Sequence, residues 1–370
     1  MAWIGNLTDS YRLVLDTLWR NGPSSRAEIA DSTGFTRPAI SLMVQELTTM
    51  GLLVEQPARK GGQRGQPSRP LTVRADAGFA AGVNFSHSYL EMAVVDLAGA
   101  MLGSTRARLS NPDPEEIGRI SAAALDKLVA EHELERGRLL GIGISFPGDF
   151  KADGTLAPHH YFPALAEPGL AERLEARLGA PVILENDGRV CAIGERVMGA
   201  GTAYRTFMLV HIGHGVGGGL IIDGKPYRGA QGNSGIMGQY YPYGAPRPSG
   251  QDLLETLARE GFAVDDFDGL ESLAPASAPV VEAWVARAAG QLRGDLARVG
   301  RFFGPEAIIL AGRLPPAIMT ALAERIDLDS VLRPLDDLPT PPLIASSLGS
   351  AAGMIGAASL PIFRGLLPHS

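Results

Sequence analysis

Residues 139–148 read LLGIGISFPG, and this stretch decides the fold class. It is an apolar run that glycines interrupt and that Pro147 and Gly148 end, which is typical of a short strand. The longest apolar runs of the chain are of this kind, so none supplies the roughly 20 apolar residues of a membrane-spanning helix. We therefore predict an apolar strand over Leu139–Ser145.

The segments on either side of this strand alternate between strands and helices. Before it, the pattern predicts a helix from Pro114 to about Glu133, preceded by three successive strands over Phe79–Asn84, Leu90–Asp96 and Met101–Arg108. After it, the pattern predicts a helix over Gly169–Leu178 and a buried strand over Val182–Leu184. Three strands followed by alternating helices and strands indicate a mixed α/β sheet.

Length and composition limit the class of protein. At 370 residues the chain is too long for one ordinary core, so we expect two or three domains. Apolar residues make up 45% and charged residues 20%, which are globular proportions. The single cysteine, Cys191, excludes an intramolecular disulfide and a cysteine cluster for zinc. Residues 1–9 lack the pattern of a secretion signal, so we expect a cytoplasmic protein with no membrane partner.

Charge is distributed unevenly along the chain. Residues 1–75 contain nine basic and six acidic side chains, a balance of +3, so the net charge of −7 leaves −10 for the remainder. Five of the basic residues follow Gln56 with no acidic residue between them: Arg59, Lys60, Arg64, Arg69 and Arg74. A small basic end on a large acidic body suits local contact with DNA.

Three short helices are predicted in the basic end. The first has apolar residues at helical spacing and stops at Asn21–Pro23. The second opens with Ser25 and Glu28, which can form a reciprocal capping box, and a turn at Gly34 follows it. The third starts after Thr36, a suitable N-cap. Two helices joined by a tight glycine turn indicate a helix-turn-helix.

The third helix has the features of a DNA-reading helix. Its buried stripe is predicted to be Ile40, Met43, Val44 and Leu47, whereas Arg37, Ser41 and Gln45 share another face and can hydrogen-bond base edges. Strands over Leu52–Gln56 and Leu71–Val73 would enclose the basic segment Pro57–Pro70 as a wing that meets phosphate. We predict contacts to double-stranded DNA from Thr36, Arg37, Ser41, Gln45, Arg59, Lys60, Arg64 and Arg69. The alternative is a helical interaction module with a solvated basic loop.

Six motifs in the rest of the chain resemble, in the same order, those of the ROK family, which contains bacterial sugar kinases and sugar-responsive repressors. They are Gly141–Gly148, Glu185–Asp187, Gly213–Gly219, Gly229–Gln239, Leu254–Ala258 and Leu348–Ala358. The winged helix-turn-helix before them matches the family's repressor branch. The resemblance implies an α/β fold of the actin-like, ribonuclease-H-like ATPase type, with a sugar cleft between two lobes. The implied domains are residues 1–76, which bind DNA, and residues 77–370, a kinase-like sensor whose C-terminal helix returns to the first lobe.

Three positions that contact the nucleotide in the family's kinases are altered here. The resemblance aligns the phosphate loop D-x-G-G-T with Asn84–Ser88, where an amide replaces the carboxylate and both glycines are replaced by larger residues. His214 stands where the second glycine turn usually has threonine, and bulky Arg313 follows a third turn. Phosphate cradles use small residues so that backbone amides can approach the anion. We therefore predict no ATP binding, no cofactor and no enzymatic activity.

The sugar contacts that the resemblance implies are kept only in part. Asp187 matches the family's catalytic base, and it could hydrogen-bond a sugar hydroxyl together with Asn186. Alternatively, both residues only end a strand and cap the next helix. Ile236 and Gln239 replace the family's glutamate and histidine, and residues 240–252 lack the cysteines of its zinc site. We predict ligand contacts from Asn186, Asp187, Gly235, Gln239 and Glu255, and no metal; Glu255 could instead be an ordinary exposed helix residue.

Histidines are a further candidate source of contacts. His159 and His160, with Tyr161, could replace part of the lost contacts if their loop approaches the cleft, although adjacent loop histidines usually face solvent. His211 and His214 are expected to be structural, because no carboxylate or cysteine joins them at a recognised metal spacing.

These features predict a DNA-binding transcriptional regulator, expected to repress genes of carbohydrate metabolism and to respond to a sugar or polyol. A homodimer or homotetramer would read a pseudo-palindromic operator, because the symmetry of the protein is matched in the DNA. Two alternatives stay open. One is a ROK-type sugar kinase with an extra N-terminal domain. The other is a sensor reduced to a dimerisation or partner-docking body, which the lost sugar and zinc ligands would explain.

Overall fold

The N-terminal region folds as a winged helix-turn-helix. In a computed structural model of the chain, the residues described are 7–58, 69–151, 153, 155–332 and 339–368. The region contains α1 (Asp9–Asn21), α2 (Arg26–Thr33), α3 (Arg37–Thr49) and the antiparallel strands β1 (Leu53–Glu55) and β2 (Leu71–Val73). We call it the reader. Most of the predicted wing, including Arg59, Lys60 and Arg64, lies outside the described residues.

Capping groups determine where the reader helices begin. The Ser25 hydroxyl accepts from the backbone N of Glu28 at 3.3 Å, and the Glu28 carboxylate accepts from the backbone N of Ser25 at 2.6 Å. The predicted capping box is therefore present. Gly34 ends α2 with a φ of 75°, a conformation that glycine adopts without strain. Thr36 Oγ1 accepts from the backbone N of Ala39 at 3.4 Å and caps α3, as predicted.

The first lobe is built on a mixed five-stranded sheet. Its strands are β3 (Phe79–Phe85), β4 (Tyr89–Asp96), β5 (Met101–Arg108), β6 (Leu139–Phe146) and β9 (Val182–Asn186), in the order β5-β4-β3-β6-β9. Its helices are α4 (Pro114–Glu131), α5 (Leu170–Leu178) and α6 (Asp187–Met198), and β7 (Gly148–Phe150) pairs with β8 (Leu156–Pro158) in a hairpin. Strand β6 is buried along its whole length and runs parallel to β3 and β9. The predicted mixed sheet is confirmed.

The second lobe repeats the plan with a second five-stranded sheet. Its strands are β10 (Phe207–Ile212), β11 (Val216–Ile222), β12 (Lys225–Tyr227), β13 (Ala307–Gly312) and β14 (Leu343–Ala345), in the order β12-β11-β10-β13-β14. Its helices are α7 (Gly250–Arg259), α8 (Ala278–Phe303), α9 (Pro316–Arg325) and α10 (Asp329–Leu332). No helix in the described part of the chain has both the length and the apolar character needed to cross a membrane.

The last helix, α11 (Ala351–Leu366), packs on the sheet of the first lobe and on α6. The contact is so close that it requires glycine on the strands. A Cβ atom at Gly82 of β3 would lie 2.0 Å from the backbone N of Ala358, and one at Gly143 of β6 would lie 1.9 Å from the carbonyl of Ala357. The glycines of LLGIGISFPG therefore allow a helix to lie directly on the strand.

The reader shares its hydrophobic core with the first lobe. Val14 and Leu47 of the reader belong to the same buried cluster as Leu140 of β6 and Ile362 of α11. The ring of Trp19 packs edge-on against that of Phe363, with centroids 5.1 Å apart. The domain boundary predicted after residue 76 falls in a short 3-10 helix, Ala75–Ala77, and it stays a prediction because the core continues across it.

Candidate functional site

A cavity of about 480 Å³ opens between the two lobes. The first lobe lines it with residues that follow β6 and β9, and the second lobe lines it with the turn between β10 and β11 and with the segment before α7. Open α/β sheets bind ligands at the carboxyl ends of their parallel strands. The volume is in the range of small-molecule sites. The cavity is therefore the candidate ligand site.

Asp187 and Asn186 have different roles at the mouth of this cavity. The Asn186 side chain makes two hydrogen bonds within the protein: its Oδ1 accepts from the backbone N of Arg189 at 3.1 Å and its Nδ2 donates to the Gly148 carbonyl at 2.8 Å. Among the described residues, the Asp187 carboxylate accepts one hydrogen bond, from the adjacent Gly188 backbone N at 2.8 Å. Its Oδ2 lies 3.9 Å from His211 Nδ1, and its side chain keeps 28% exposure. Asn186 thus caps α6 and positions its neighbour, while Asp187 has a carboxylate available to a ligand.

Asp149, which the sequence analysis did not single out, also lines the cavity. Burial raises the pKa of its carboxyl group, and the charge of Asp187 raises it further. The two carboxyl groups could both hydrogen-bond the hydroxyl groups of a ligand. The signal that could have found Asp149 is its position directly after the strand-ending Pro147 and Gly148.

Four histidines line the cavity: His159, His160, His211 and His214. Burial, with the charge of His160, lowers the pKa of His159 to about 4. Burial also lowers the pKa of His211, and it lowers that of His214 well below its ordinary value. These three imidazoles are neutral at pH 7, so they act there as hydrogen-bonding groups and not as cations. Among the described residues, no group of three His, Cys, Asp or Glu side chains could hold a metal ion.

Of the other three residues predicted to contact a ligand, one lines the cavity and two do not. Gln239 lines the cavity, as does Ile236. Gly235 lies behind the lining, where a Cβ atom would come within about 3.0 Å of Gly218, so it shapes the wall. Glu255 lies outside the lining, on the exposed side of α7, and accepts from the Gln251 side chain at 3.1 Å. Its expected contact with a ligand therefore has no support in this geometry.

The segment that replaces the family's zinc loop is held by side chains of α7 and α8. Asp252 accepts from Trp284 Nε1 at 2.8 Å and pairs with Arg287. Gln291 donates to the Pro246 carbonyl at 2.7 Å, which ties the loop to α8. The loop carries Arg247 into the wall of the cavity. Sequence reasoning missed Arg247, because it sought cysteine ligands in this segment.

The three altered nucleotide positions contact one another or share one corner of the cleft. Arg313 follows β13 and donates from Nη2 to Asn84 Oδ1 at 3.0 Å and to the Phe85 carbonyl. His214 and His87 share a hydrogen bond of 2.8 Å between Nε2 and Nδ1. Side-chain hydrogen bonds therefore occupy the corner that the resemblance aligns with the phosphate-binding turns.

The same corner joins the two lobes. Ser86 Oγ donates to Asp266 Oδ2 at 2.7 Å, and the Ser88 hydroxyl donates to the same oxygen. Ser88, which alone resembles the threonine of a phosphate loop, is thus engaged with the second lobe. The hydrogen bonds from Ser86 and Ser88 to Asp266 cross the cleft at the corner that the resemblance aligns with the nucleotide site. The part of the cleft next to Asp187 stays open.

The predicted reading face of α3 is free. Arg37, Ser41 and Gln45 are exposed, and Leu42 between them is 59% exposed. All four buried positions of the predicted stripe, Ile40, Met43, Val44 and Leu47, face the core. Thr36 is exposed and caps the helix, and Arg69 at the edge of the wing lies 3.8 Å from the Glu55 carboxylate.

The chain is similar in sequence to proteins of one family. The sequence model of the ROK family matches residues 80–252. The chain is 37% identical over 366 residues to the uncharacterized protein y4fQ of Sinorhizobium fredii, which covers 98% of this chain and 93% of that protein. It is 28% identical over 231 residues to the xylose repressor of Bacillus subtilis, covering 61% of this chain and 59% of the repressor.

Solved structures share the fold. A ROK family transcriptional regulator, described as a homolog of E. coli MLC, superposes with a TM-score of 0.70 at 20% identity and covers 97% of both chains. A ROK glucokinase from Streptomyces griseus, solved with glucose and AMPPNP, superposes with a TM-score of 0.59 at 25% identity and covers 76% of this chain and 99% of that one. The regulator matches the reader as well as the lobes. The chain belongs to the ROK family, in its branch of transcriptional regulators.

Proposed function

We propose that this chain represses transcription by binding DNA through α3 and its wing, and that a sugar or polyol in the cavity changes this binding. Membership of the regulator branch and the free reading face support the first part. The open cavity beside Asp187 supports the second part. We also propose that the chain does not catalyse phosphoryl transfer.

One observation carries this proposal: Arg313 donates to Asn84 across the nucleotide side of the cleft, while Asp187 stays accessible. Phosphoryl transfer requires a phosphate held in line with the attacking hydroxyl, and positioning supplies most of the rate. With the phosphate corner filled, the carboxylate can still accept a hydrogen bond from a hydroxyl group. A charged acceptor of this kind contributes about 1.5–3 kcal/mol to binding without any chemistry.

The reading face supports a defined mode of DNA binding. Helix α3 would enter the major groove with Arg37, Ser41 and Gln45 at base edges, while wing arginines meet phosphate. We propose a homodimer or homotetramer, in which two readers contact half-sites about 34–36 Å apart. A ligand that changes the closure of the lobes would change the spacing of the readers and so weaken operator binding.

The DNA part is tested by selecting bound sequences from random double-stranded DNA with the purified chain. We expect a pseudo-palindromic site. Arg37→Ala should then weaken binding by about 1–3 kcal/mol, because one base contact is lost. Arg119→Ala, an exposed arginine on α4, is the matched control and should leave the affinity unchanged. Equal affinities of wild type and Arg37→Ala would refute the reading face.

The sensor part is tested by two measurements on the full chain. A thermal-shift screen of sugars, polyols and sugar phosphates should give at least one compound that raises the Tm and lowers operator affinity. An ADP-release assay with ATP and the same compounds should give no turnover. Sugar-dependent ADP release at about 1 s⁻¹ or faster would establish the kinase alternative instead. A screen without any stabilising compound would favour the docking body.

A further inference from the structure

The cavity wall contains a buried positive charge that has no ion pair among the described residues. Arg247 is 6% exposed and lines the cavity. Its Nη2 donates to the Gly238 carbonyl at 2.9 Å, and its guanidinium lies 4.1 Å from the centroid of the Tyr243 ring. Among the described residues its Nε has no hydrogen-bond partner, and its side chain forms no ion pair. Buried charges are normally paired, so this arrangement indicates a missing anion.

The neighbouring carboxylate does not serve as that partner. Asp252 accepts from Trp284 Nε1, pairs with Arg287, and contacts Arg247 only through the Arg247 backbone N, at 3.2 Å. The loop itself is held by Arg287, which donates to the Arg247 carbonyl, and by Gln291. The guanidinium is therefore not needed to keep the loop in place, except for its single bond to Gly238.

The other charged groups of the cavity define what kind of anion fits. The Arg313 side chain donates to Asn84, Phe85 and Tyr89, whereas the Arg247 side chain donates only to Gly238 among the described residues. Of these two lining arginines, Arg247 therefore has more unused donors. The charge of Asp187, in the same lining, would repel a second negative charge. A ligand with a single negative charge would therefore suit the cavity if that charge lies at Arg247 and away from both aspartates. A carboxylate meets this requirement and matches the guanidinium fork, whereas a phosphate ester carries up to two charges.

We propose that the cavity takes a polyhydroxylated monocarboxylate, such as an aldonic or uronic acid, with its carboxylate on Arg247 and its hydroxyl groups on Asp187 and Asp149. This inference rests on the proposed function, because it specifies the effector of the same cavity. Tyr243 and His159 would form the wall beside the carboxylate. Their rings are tilted against each other, and His159 Nε2 lies 2.8 Å from the Tyr243 hydroxyl. Neutral histidines there add hydrogen bonds without a further positive charge.

The test measures affinities of matched pairs by calorimetry on the full chain. The pairs are D-gluconate and D-glucose, D-galacturonate and D-galactose, and D-xylonate and D-xylose; glucose 6-phosphate is the phosphate arm. We expect at least one acid to bind about tenfold or more tightly than its neutral partner, which is typical of a charge-assisted hydrogen bond. Arg247→Gln should abolish that preference, so that the acid loses about tenfold more affinity than its neutral partner does. Arg247→Lys keeps the charge and should retain part of the preference.

Several results would overturn the inference. Neutral sugars that bind as tightly as their acids would refute it while leaving the proposed function intact. Glucose 6-phosphate binding more tightly than every acid would refute the carboxylate. Failure of all probes, neutral and acidic, would refute the sugar sensor together with this inference. If Arg247→Gln does not fold, the preference of the wild type and its reduction in Arg247→Lys decide the question.

Discussion

Asp149 and Asp187 face one cavity, and their proximity changes what each can contribute. The charge of Asp187 and burial both raise the pKa of Asp149, so Asp149 takes up a proton more readily than an exposed aspartate. The Asp187 side chain is 28% exposed and accepts a hydrogen bond from the Gly188 backbone N. A hydroxyl group that lies between them can donate to one and accept from the other.

Replacing Asp187 by alanine should remove the response to ligand but preserve DNA binding. The carboxylate lies in the cavity and has no hydrogen bond or ion pair with the described part of the reader, so operator affinity without ligand should stay within about twofold. Ligand affinity should fall by about 1.5–3 kcal/mol, the value of a hydrogen bond to a charged group. Operator binding with and without the carbohydrate found in the thermal-shift screen measures both effects.

Glu255→Ala is the matched control for this prediction. Glu255 lies on the exposed side of α7, outside the cavity, so its removal should change neither affinity. A normal response of Asp187→Ala would show that the cavity has been assigned wrongly. A lost response of Glu255→Ala would restore the contact that the resemblance implied.

Helix α11 connects the cleft with the reader. At its N-terminal end, Ser350 donates to Glu91 at 3.0 Å and its carbonyl accepts from Asn84 at 3.3 Å, next to the corner that Arg313 fills. At its C-terminal end, Arg12 of α1 donates to the carbonyls of Arg364, Gly365 and Leu367 at 3.2, 2.8 and 3.3 Å. A basic side chain at the end of a helix satisfies carbonyls that have no partner within it.

Gly82→Ala should destabilise the protein strongly, because the new Cβ atom would lie 2.0 Å from the α11 backbone. We expect a loss of about 3 kcal/mol or more in the free energy of unfolding, or failure to fold. Gly290→Ala on α8 is the matched control, since a Cβ atom there meets nothing within 4 Å. That variant should gain up to about 1 kcal/mol from helix propensity. Thermal melts of the two variants give the comparison, and equal Tm values would contradict the packing.

Arg12→Met should weaken the coupling between cavity and reader. Methionine keeps the apolar length of the side chain but cannot donate to the carbonyls at the end of α11. We expect DNA affinity without ligand to change less than about threefold, and the ligand-induced change in affinity to shrink by about 1 kcal/mol or more. The readout is an operator titration at zero and saturating ligand, with Arg259→Met of α7 as control. An unchanged ligand effect would exclude this contact as the connection.

At the scale of the whole molecule, charge is separated between the reader and the lobes. Residues 1–75 carry +3 and the remaining chain −10, so the lobes repel DNA while the reader attracts it. The small positive charge of the reader also predicts few phosphate contacts. The affinity for DNA should therefore fall with salt concentration with a small slope.

The double variant Arg64→Ala with Arg69→Ala should reduce the salt dependence of DNA binding. Each lost phosphate contact lowers the slope of log affinity against log salt concentration by about 1, so a decrease of about 2 per reader is expected. Sequence preference should stay the same, because these residues are assigned to phosphate. Titrations at several salt concentrations measure the slope. An unaltered slope would show that the two arginines do not meet the DNA backbone.

Local rules determined much of this protein from the sequence. The capping box at Ser25, the glycine at residue 34 and the apolar stripe of α3 are set by neighbours within a few residues, so the helix-turn-helix could be predicted. The absence of cysteine in residues 240–252 excluded the zinc site without any structure. Even the position of Glu255 could have been inferred, because the buried residues Leu253, Leu254 and Leu257 turn it toward solvent.

Only the tertiary structure decided the chemistry of the cleft. Arg313 meets Asn84 across 229 residues of chain, and no local pattern indicates that the two side chains occupy the same corner. Arg247 reaches the cavity because Arg287 and Gln291 of α8 hold its loop, a contact that depends on how the second lobe packs. Asp149 gains its raised pKa from burial and from Asp187, which follows a different strand. Secondary structure depends on neighbours in sequence, whereas a binding site depends on which distant side chains the packing of two lobes brings together.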